Sequence, residues 1–198
     1  MKNNNIVLTD KKINEIKKFH KISGILKKEI ANSDFSQSKY SFKKIFLALS
    51  VLSAQQWGPR IEKVLINKIG FIKVKEKGRG DAFDIESNNY FEIKCSIITA
   101  TNDSLNLVQI RNWEKIKGYY IAVLNLLEDG KIYKFFLTKE DMNNEIKLVG
   151  SSAHGDKKTA SKNTHHEKRI SIKINNEDVH FKRWMKKYSH NKEFNKLK

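Results

Sequence analysis

The sequence predicts a single α/β domain in which helices flank a mixed sheet, and three observations carry that prediction. Apolar residues recur at helical spacing up to Ile69, the period drops to two after Gly70, and Tyr119 to Leu126 is an unbroken apolar run of strand length. Segments of the two periods in succession build a sheet covered by helices, and a run apolar on both faces suits a central strand buried between layers. A chain of 198 residues suffices for one such domain and is short for two; its 39% hydrophobic and 10% aromatic content can supply a core.

In chain order, residues 9–31 predict a first helix. Ile13, Ile16, Phe19, Ile22, Ile25, Leu26 and Ile30 share a face among lysines, with Thr9 or Asp10 as the N-cap. Polar residues 32–38 predict a loop, and Phe42, Ile45, Phe46, Leu49 and Leu52 a second helix, completing a helical N-terminal part over 9–55. Gly58-Pro59 is expected to end that helix and open another over 59–69, since proline suits a first helical position and Gly70 a stop. Strands are predicted over 71–75, 81–86 and 90–96, the last two paired as a hairpin around Asn88-Asn89. Leu105, Leu107, Val108, Ile110 and Trp113 predict a mostly helical piece over about 104–117. Strands 119–126 and 132–137 follow, joined at Asp129-Gly130, then a short helix over 139–144. A long basic loop over 150–169, a strand over 170–174 and a helix over 177–188 complete the chain, and the absence of repeats or linkers makes residues 1–198 one domain with its core at 59–137.

Composition narrows the function. Lys+Arg outnumber Asp+Glu by 39 to 22, a formal charge of +17 that favours a polyanionic partner, because neutralising phosphates releases counterions. Cys95 is the only cysteine, which excludes an intramolecular disulfide and argues against a thiolate zinc site. No apolar run approaches the ~18 residues a membrane span needs, and Met1-Lys2-Asn3-Asn4-Asn5 has no signal-peptide core, so the expectation is a cytoplasmic protein without a membrane partner.

The chemistry concentrates in Gly78-Arg79-Gly80-Asp81-Ala82-Phe83-Asp84-Ile85 and Tyr90-Phe91-Glu92-Ile93-Lys94-Cys95. A period of two puts the Glu92 carboxylate and the Lys94 ammonium on one face of a strand and turns Ile93 into the core. Hydrolysing a phosphodiester needs an activated water, charge neutralisation on the phosphoryl oxygens and help for the leaving group. Divalent ions held by carboxylates supply all three, and oxygen-only ligands select a hard ion such as Mg2+. Glu92 can then hold the ion while Lys94 positions or deprotonates water. Asp81 or Asp84 is the second acid. A four-residue loop over 86–89 would set Asp81 opposite Lys94 and Asp84 opposite Phe91, which favours Asp81.

The order helix 59–69, three strands, helix 104–117 and strand 119–126 resembles the core of the PD-(D/E)xK nuclease superfamily, whose members carry a metal-binding Asp on the middle strand and (D/E)-x-K on the next. Glu92 and Lys94 match the second element, whereas Gly80 stands where the family name has proline. The resemblance implies catalytic roles for Asp81, Glu92, Lys94 and a supporting Glu62, and metal ligation by Asp81 (alternatively Asp84), Glu92 and the Ile93 carbonyl. It further implies Mg2+ with Mn2+ as a substitute, products bearing 5′-phosphate and 3′-hydroxyl, and a small type II restriction endonuclease, cutting double-stranded DNA as a homodimer. A structure-specific nuclease such as a resolvase and a catalytically silent DNA-binding protein are the alternatives.

Further candidates are DNA contacts. Gln109 and Arg111 follow the catalytic strand; His154, Lys157, Lys158, Lys162, Asn163 and Arg169 of the basic loop are placed to read bases or phosphates; Lys182, Arg183, Lys186 and Lys187 fall on one helix face and can track the backbone. His154, His165 and His166 raise the ββα type of His-metal nuclease, but neither its hairpin nor its helix is present in the hydrophobic pattern. Trp57, Trp113 and Trp184 are expected to pack in the core or at its rim.

Overall fold

The computed structural model of the chain describes residues 6–18, 22–76, 78–111, 113–150, 152–153 and 168–189. Its N-terminal part is two helices where the sequence predicts one: α1 (Asp10–Lys17) and α2 (Gly24–Ala31). Thr9 caps α1 by accepting from the Lys12 N–H. α2 starts at Ser23, whose side chain accepts from the Leu26 N–H while its own N–H is taken by the Glu15 carboxylate. Serine satisfies the amides of a new helix better than it serves the interior of an old one. Ile25 is 76% exposed as a result.

The predicted boundary at Gly58-Pro59 also moves. After α3 (Phe42–Leu49), α4 runs unbroken from Ala54 to Ile69 with Pro59 inside it. A capping box between Ser53 and Gln56 starts α4, so Pro59 removes only the bond to the Gln55 carbonyl. Gly58, with open space around its α-carbon, has no side chain for the proline ring to strike. Gly70, at φ 85°, ends α4 in the left-handed conformation that glycine adopts without strain.

Five strands form the main sheet in the order β1-β2-β3-β5-β6: β1 (Ile72–Lys73), β2 (Ala82–Asp84), β3 (Asn89–Ile98), β5 (Ile116–Asn125) and β6 (Lys131–Thr138). All neighbours are antiparallel except β3 and β5, which run parallel. The segment between those two is β4 (Ser104–Ile110), not a helix. Leu105, Leu107 and Ile110 point inward and Ser104 and Asn106 outward, the alternation of a strand with one bulge after Leu107. β4 belongs to a second, antiparallel sheet, β4-β8-β7, with β7 (Ser152–Ala153) and β8 (Lys168–Lys173). Helices α5 (Lys139–Val149) and α6 (Val179–Tyr188) complete the chain.

The long apolar run is explained by burial on both faces of β5. Tyr120, Ala122 and Leu124 join α3, α4, Phe91 and Ile93 in one core, while Tyr119, Ile121 and Val123 join β4, β8, α5 and α6 in the other. Among the described residues no helix is long and apolar enough to cross a membrane.

Candidate active site

The hairpin predicted to carry the chemistry is present, with its register shifted. Residues 85–88 form the turn and Asp84 pairs with Asn89, Ala82 with Phe91. One step further, Asp81 donates its N–H to the Phe91 carbonyl and accepts the Ile93 N–H on Oδ2 at 2.9 Å. Asp81 therefore flanks Glu92, not Lys94 as the 86–89 loop would have it. The turn beginning one residue earlier moves the pairing by two.

Asp81 is fixed there from several sides. Gly80 has φ 83°, and a Cβ on it would lie 2.7 Å from the Phe91 carbonyl oxygen and 2.9 Å from an Ile116 methyl, so the loop can lie against β3 only with glycine. Arg79 pairs with Glu76 at 2.8 Å and donates to the Tyr90 hydroxyl at 3.0 Å, clipping the same loop to β3. Asp84 is spent on the turn, accepting from the N–H groups of Glu86 and Ser87 and from the Ser87 hydroxyl.

β2 pairs with β3 only as far as Phe91, so among the described residues no strand pairs with that edge of β3 from Ile93 onward. A cleft of about 430 Å³ runs along that edge between the start of α4 and β4, lined among others by Trp57, Glu62, Lys94, Cys95, Asn106 and Gln109. Glu92 and Lys94 share a face as predicted, Lys94 Nζ donating to Glu92 Oε1 at 2.8 Å. Glu92 is 1% exposed. Its Oε2 is the only buried side-chain polar atom among the described residues without a hydrogen-bond partner.

Charge is crowded here. Burial pushes the Glu92 carboxyl up to about 7, with Lys94 opposing the rise and the Asp81 charge adding to it. Glu62, on α4, is also raised, first by burial and then by Asp81, against its 3.0 Å ion pair with Lys73. Tyr119 lies beside Glu92 in the β3–β5 register, and burial together with the Glu92 charge pushes its phenol up. Burial likewise pushes the Cys95 thiol up, with Glu62 adding to it. Arg111 follows β4 instead of riding on a helix; its charge favours ionised Glu92, its guanidinium stacks on Trp113, and its carbonyl accepts from the Tyr119 hydroxyl at 2.8 Å. Gln109 sits in the β4 bulge with φ 52°.

The donor set suits a hard divalent ion. Oε2 of Glu92 is an acceptor left unfilled at large desolvation cost, and a cation there would offset both the burial penalty and the repulsion from Asp81. Because N–H and C=O of one strand residue point the same way, the Ile93 carbonyl faces Asp81 and not β5. Two carboxylates and a carbonyl leave room for the several waters Mg2+ retains. Among the described residues no three His, Cys, Asp or Glu side chains gather closely enough to hold an ion by themselves.

The remaining candidates are scattered. Arg169 lies on β8 and donates to Asn106 Oδ1 at 3.1 Å. Arg183 forks onto Glu145 and Lys187 pairs with Asp141 at 2.7 Å, whereas Lys182 and Lys186 are exposed on α6. His154, Lys157, Lys158, Lys162 and Asn163, like His165 and His166, lie outside the described residues. Sequence reasoning missed Arg79, Gly80 and Tyr119 as supports of the site. The Gly-Arg-Gly preceding Asp81 was the available signal, since paired glycines before an acid mark a close backbone approach.

Neither a scan against protein-family models nor a search of curated proteins finds a match to this chain.

Proposed function

We propose that this protein is a Mg2+-dependent, site-specific double-stranded DNA endonuclease of the type II restriction kind. One observation carries the reading: a buried glutamate with an unfilled oxygen, paired to a lysine two residues on and flanked by an aspartate. That resembles the Asp and Glu-x-Lys arrangement of the PD-(D/E)xK superfamily, on a helix-then-hairpin frame that leads into a parallel strand. β4 departs from that resemblance, standing where the family has a helix.

Asp81, Glu92 and the Ile93 carbonyl would hold the ion. When bound, Mg2+ supplies Lewis-acid activation of water and neutralises charge on the phosphoryl oxygens. Lys94, 14% exposed and anchored to Glu92 at one of its three donors, presents the others to the cleft. There it orients the attacking water and stabilises the charge that grows as the new O–P bond forms and the P–O3′ bond breaks. Glu62, paired with Lys73, would support the site from α4, where it feels the charges of Asp81 and Lys94. The exposed lysines of α6 and Arg169 supply phosphate contacts, and the net charge of +17 draws the duplex in. A homodimer lets two such sites cut both strands of a symmetric sequence.

A second reading, a DNA-binding protein without catalysis, is favoured by the lack of three converging metal-ligating side chains among the described residues. Incubation with plasmid DNA in Mg2+, with and without EDTA, separates the two. Discrete fragments ending in 5′-phosphate, abolished by the chelator, are the expected result; intact DNA with undiminished binding would leave the second.

A further inference from the structure

The cleft beside Lys94 is larger than a scissile phosphate needs. Its volume of about 430 Å³ falls within the ~300–1,000 Å³ range of sites that enclose small molecules, enough for one nucleoside and far too little for a duplex. Its lining also has the two chemistries that a nucleobase calls for. Trp57 supplies a flat aromatic surface, fixed from behind by Phe46 with ring centroids 5.9 Å apart. The side-chain amide of Gln109 supplies a donor and an acceptor of the kind that base edges present, beside Asn102 and Asn106, whose amides are tied into the wall.

The amide wall is built, not incidental. Asn106 is held by Ser96, which accepts its N–H at 3.1 Å, by Asn102, whose oxygen takes its side-chain amide at 2.7 Å, and by Arg169 at its own oxygen. Gln109 occupies the left-handed region at φ 52°, which is costly for a residue with a side chain, in a bulge that lets both Val108 and Gln109 line the cleft.

The geometry points to a nucleobase site: the cleft takes one unpaired base of the DNA strand being cut, stacked on Trp57 with its edge toward Gln109, while the adjoining phosphate lies at Lys94. This deepens the nuclease reading and rests on it for the position of the phosphate. In its duplex site that base is extruded from the helix, and DNA with a nucleotide already unpaired next to the cut binds more tightly, because an unpaired base costs least to seat.

The test uses hairpin duplexes with a one-nucleotide bulge carrying 2-aminopurine, an abasic bulge, or no bulge. Binding is measured in Ca2+ and cutting in Mg2+, for wild type, Trp57→Ala, Trp57→Phe and Gln109→Ala. The base-bearing bulge is expected to bind about tenfold or more tighter than the abasic one. Trp57→Ala should lose that preference, Trp57→Phe should keep most of it and Gln109→Ala part of it. Equal affinity of wild type for base-bearing and abasic bulges overturns the site. A base preference with no cutting of any DNA supports the site and removes the nuclease reading, whereas cutting with no base preference does the reverse.

Discussion

Glu92 on β3 and Glu145 on α5 are each 1% exposed, yet their surroundings treat the charge in opposite ways. Glu145 accepts the Arg183 fork, the Trp184 indole N–H at 2.9 Å and the Tyr188 hydroxyl at 2.9 Å. Burial pushes its carboxyl up, but those hydrogen bonds outweigh burial and hold it below its ordinary value. Glu92 has one lysine on one oxygen and, among the described residues, no hydrogen-bond partner on the other, and its carboxyl is raised. One buried carboxylate is thus completely satisfied by the packing around it, and the other keeps an acceptor to spare.

Breaking the satisfied site should give the largest loss of stability. Glu145→Ala leaves the Arg183 charge without its partner and should cost about 3–5 kcal/mol in urea unfolding, with cutting per folded molecule unchanged. Lost cutting at full occupancy of the folded state would mean that α6 belongs to the active site.

The pH dependence sharpens the contrast, because the two shifts have opposite signs. With its folded value near 7 against an ordinary 4.5, Glu92 contributes stability below pH 4.5 and loses it as pH rises through 7. In metal-free protein, wild type should therefore fall relative to Glu92→Gln across that window, by up to about 3 kcal/mol. Glu145, lowered, contributes above the carboxylate range and loses that contribution as pH falls below 4.5. Parallel stability curves for wild type and Glu92→Gln between pH 4.5 and 7 would deny Glu92 its strained burial.

How much of this was legible depended on how many faces of each segment are buried. β5 was readable because both faces are covered, leaving no polar interruption. β4 was not: Leu105, Val108 and Leu107, Ile110 also satisfy a helical spacing, and the bulge at Val108-Gln109 breaks the alternation that would have marked a strand. Glu92 and Lys94 on one face followed from the strand period alone. The partner acid did not, since the turn start sets register and neighbouring polar residues allow either choice. The role of Arg183 was hidden because a helical face does not show which of its cations meets a buried acid from elsewhere in the chain.

Two smaller effects probe what fixes Asp81. Gly80→Ala must move the loop off the Phe91 carbonyl, costing about 1–2 kcal/mol through its left-handed φ and lowering cutting more than folding. Asp84→Asn should cost about 1 kcal/mol from the turn and leave cutting measurable, whereas Asp81→Asn should abolish it. Thermal unfolding and fragment yield on the same preparations check both. Cutting lost in Asp84→Asn and kept in Asp81→Asn would transfer the ligand role.

The central claim is that the half-filled glutamate and its lysine are a phosphodiester-cutting pair, and Lys94→Ala tests it most directly. Cleavage in Mg2+ and DNA binding in Ca2+ are measured on the same folded protein. Several kcal/mol of lost transition-state stabilisation, at about 1.36 kcal/mol per tenfold, predicts cutting reduced by about a thousandfold or more with affinity near wild type. A Lys94→Ala protein that cuts within about tenfold of wild type would contradict the account.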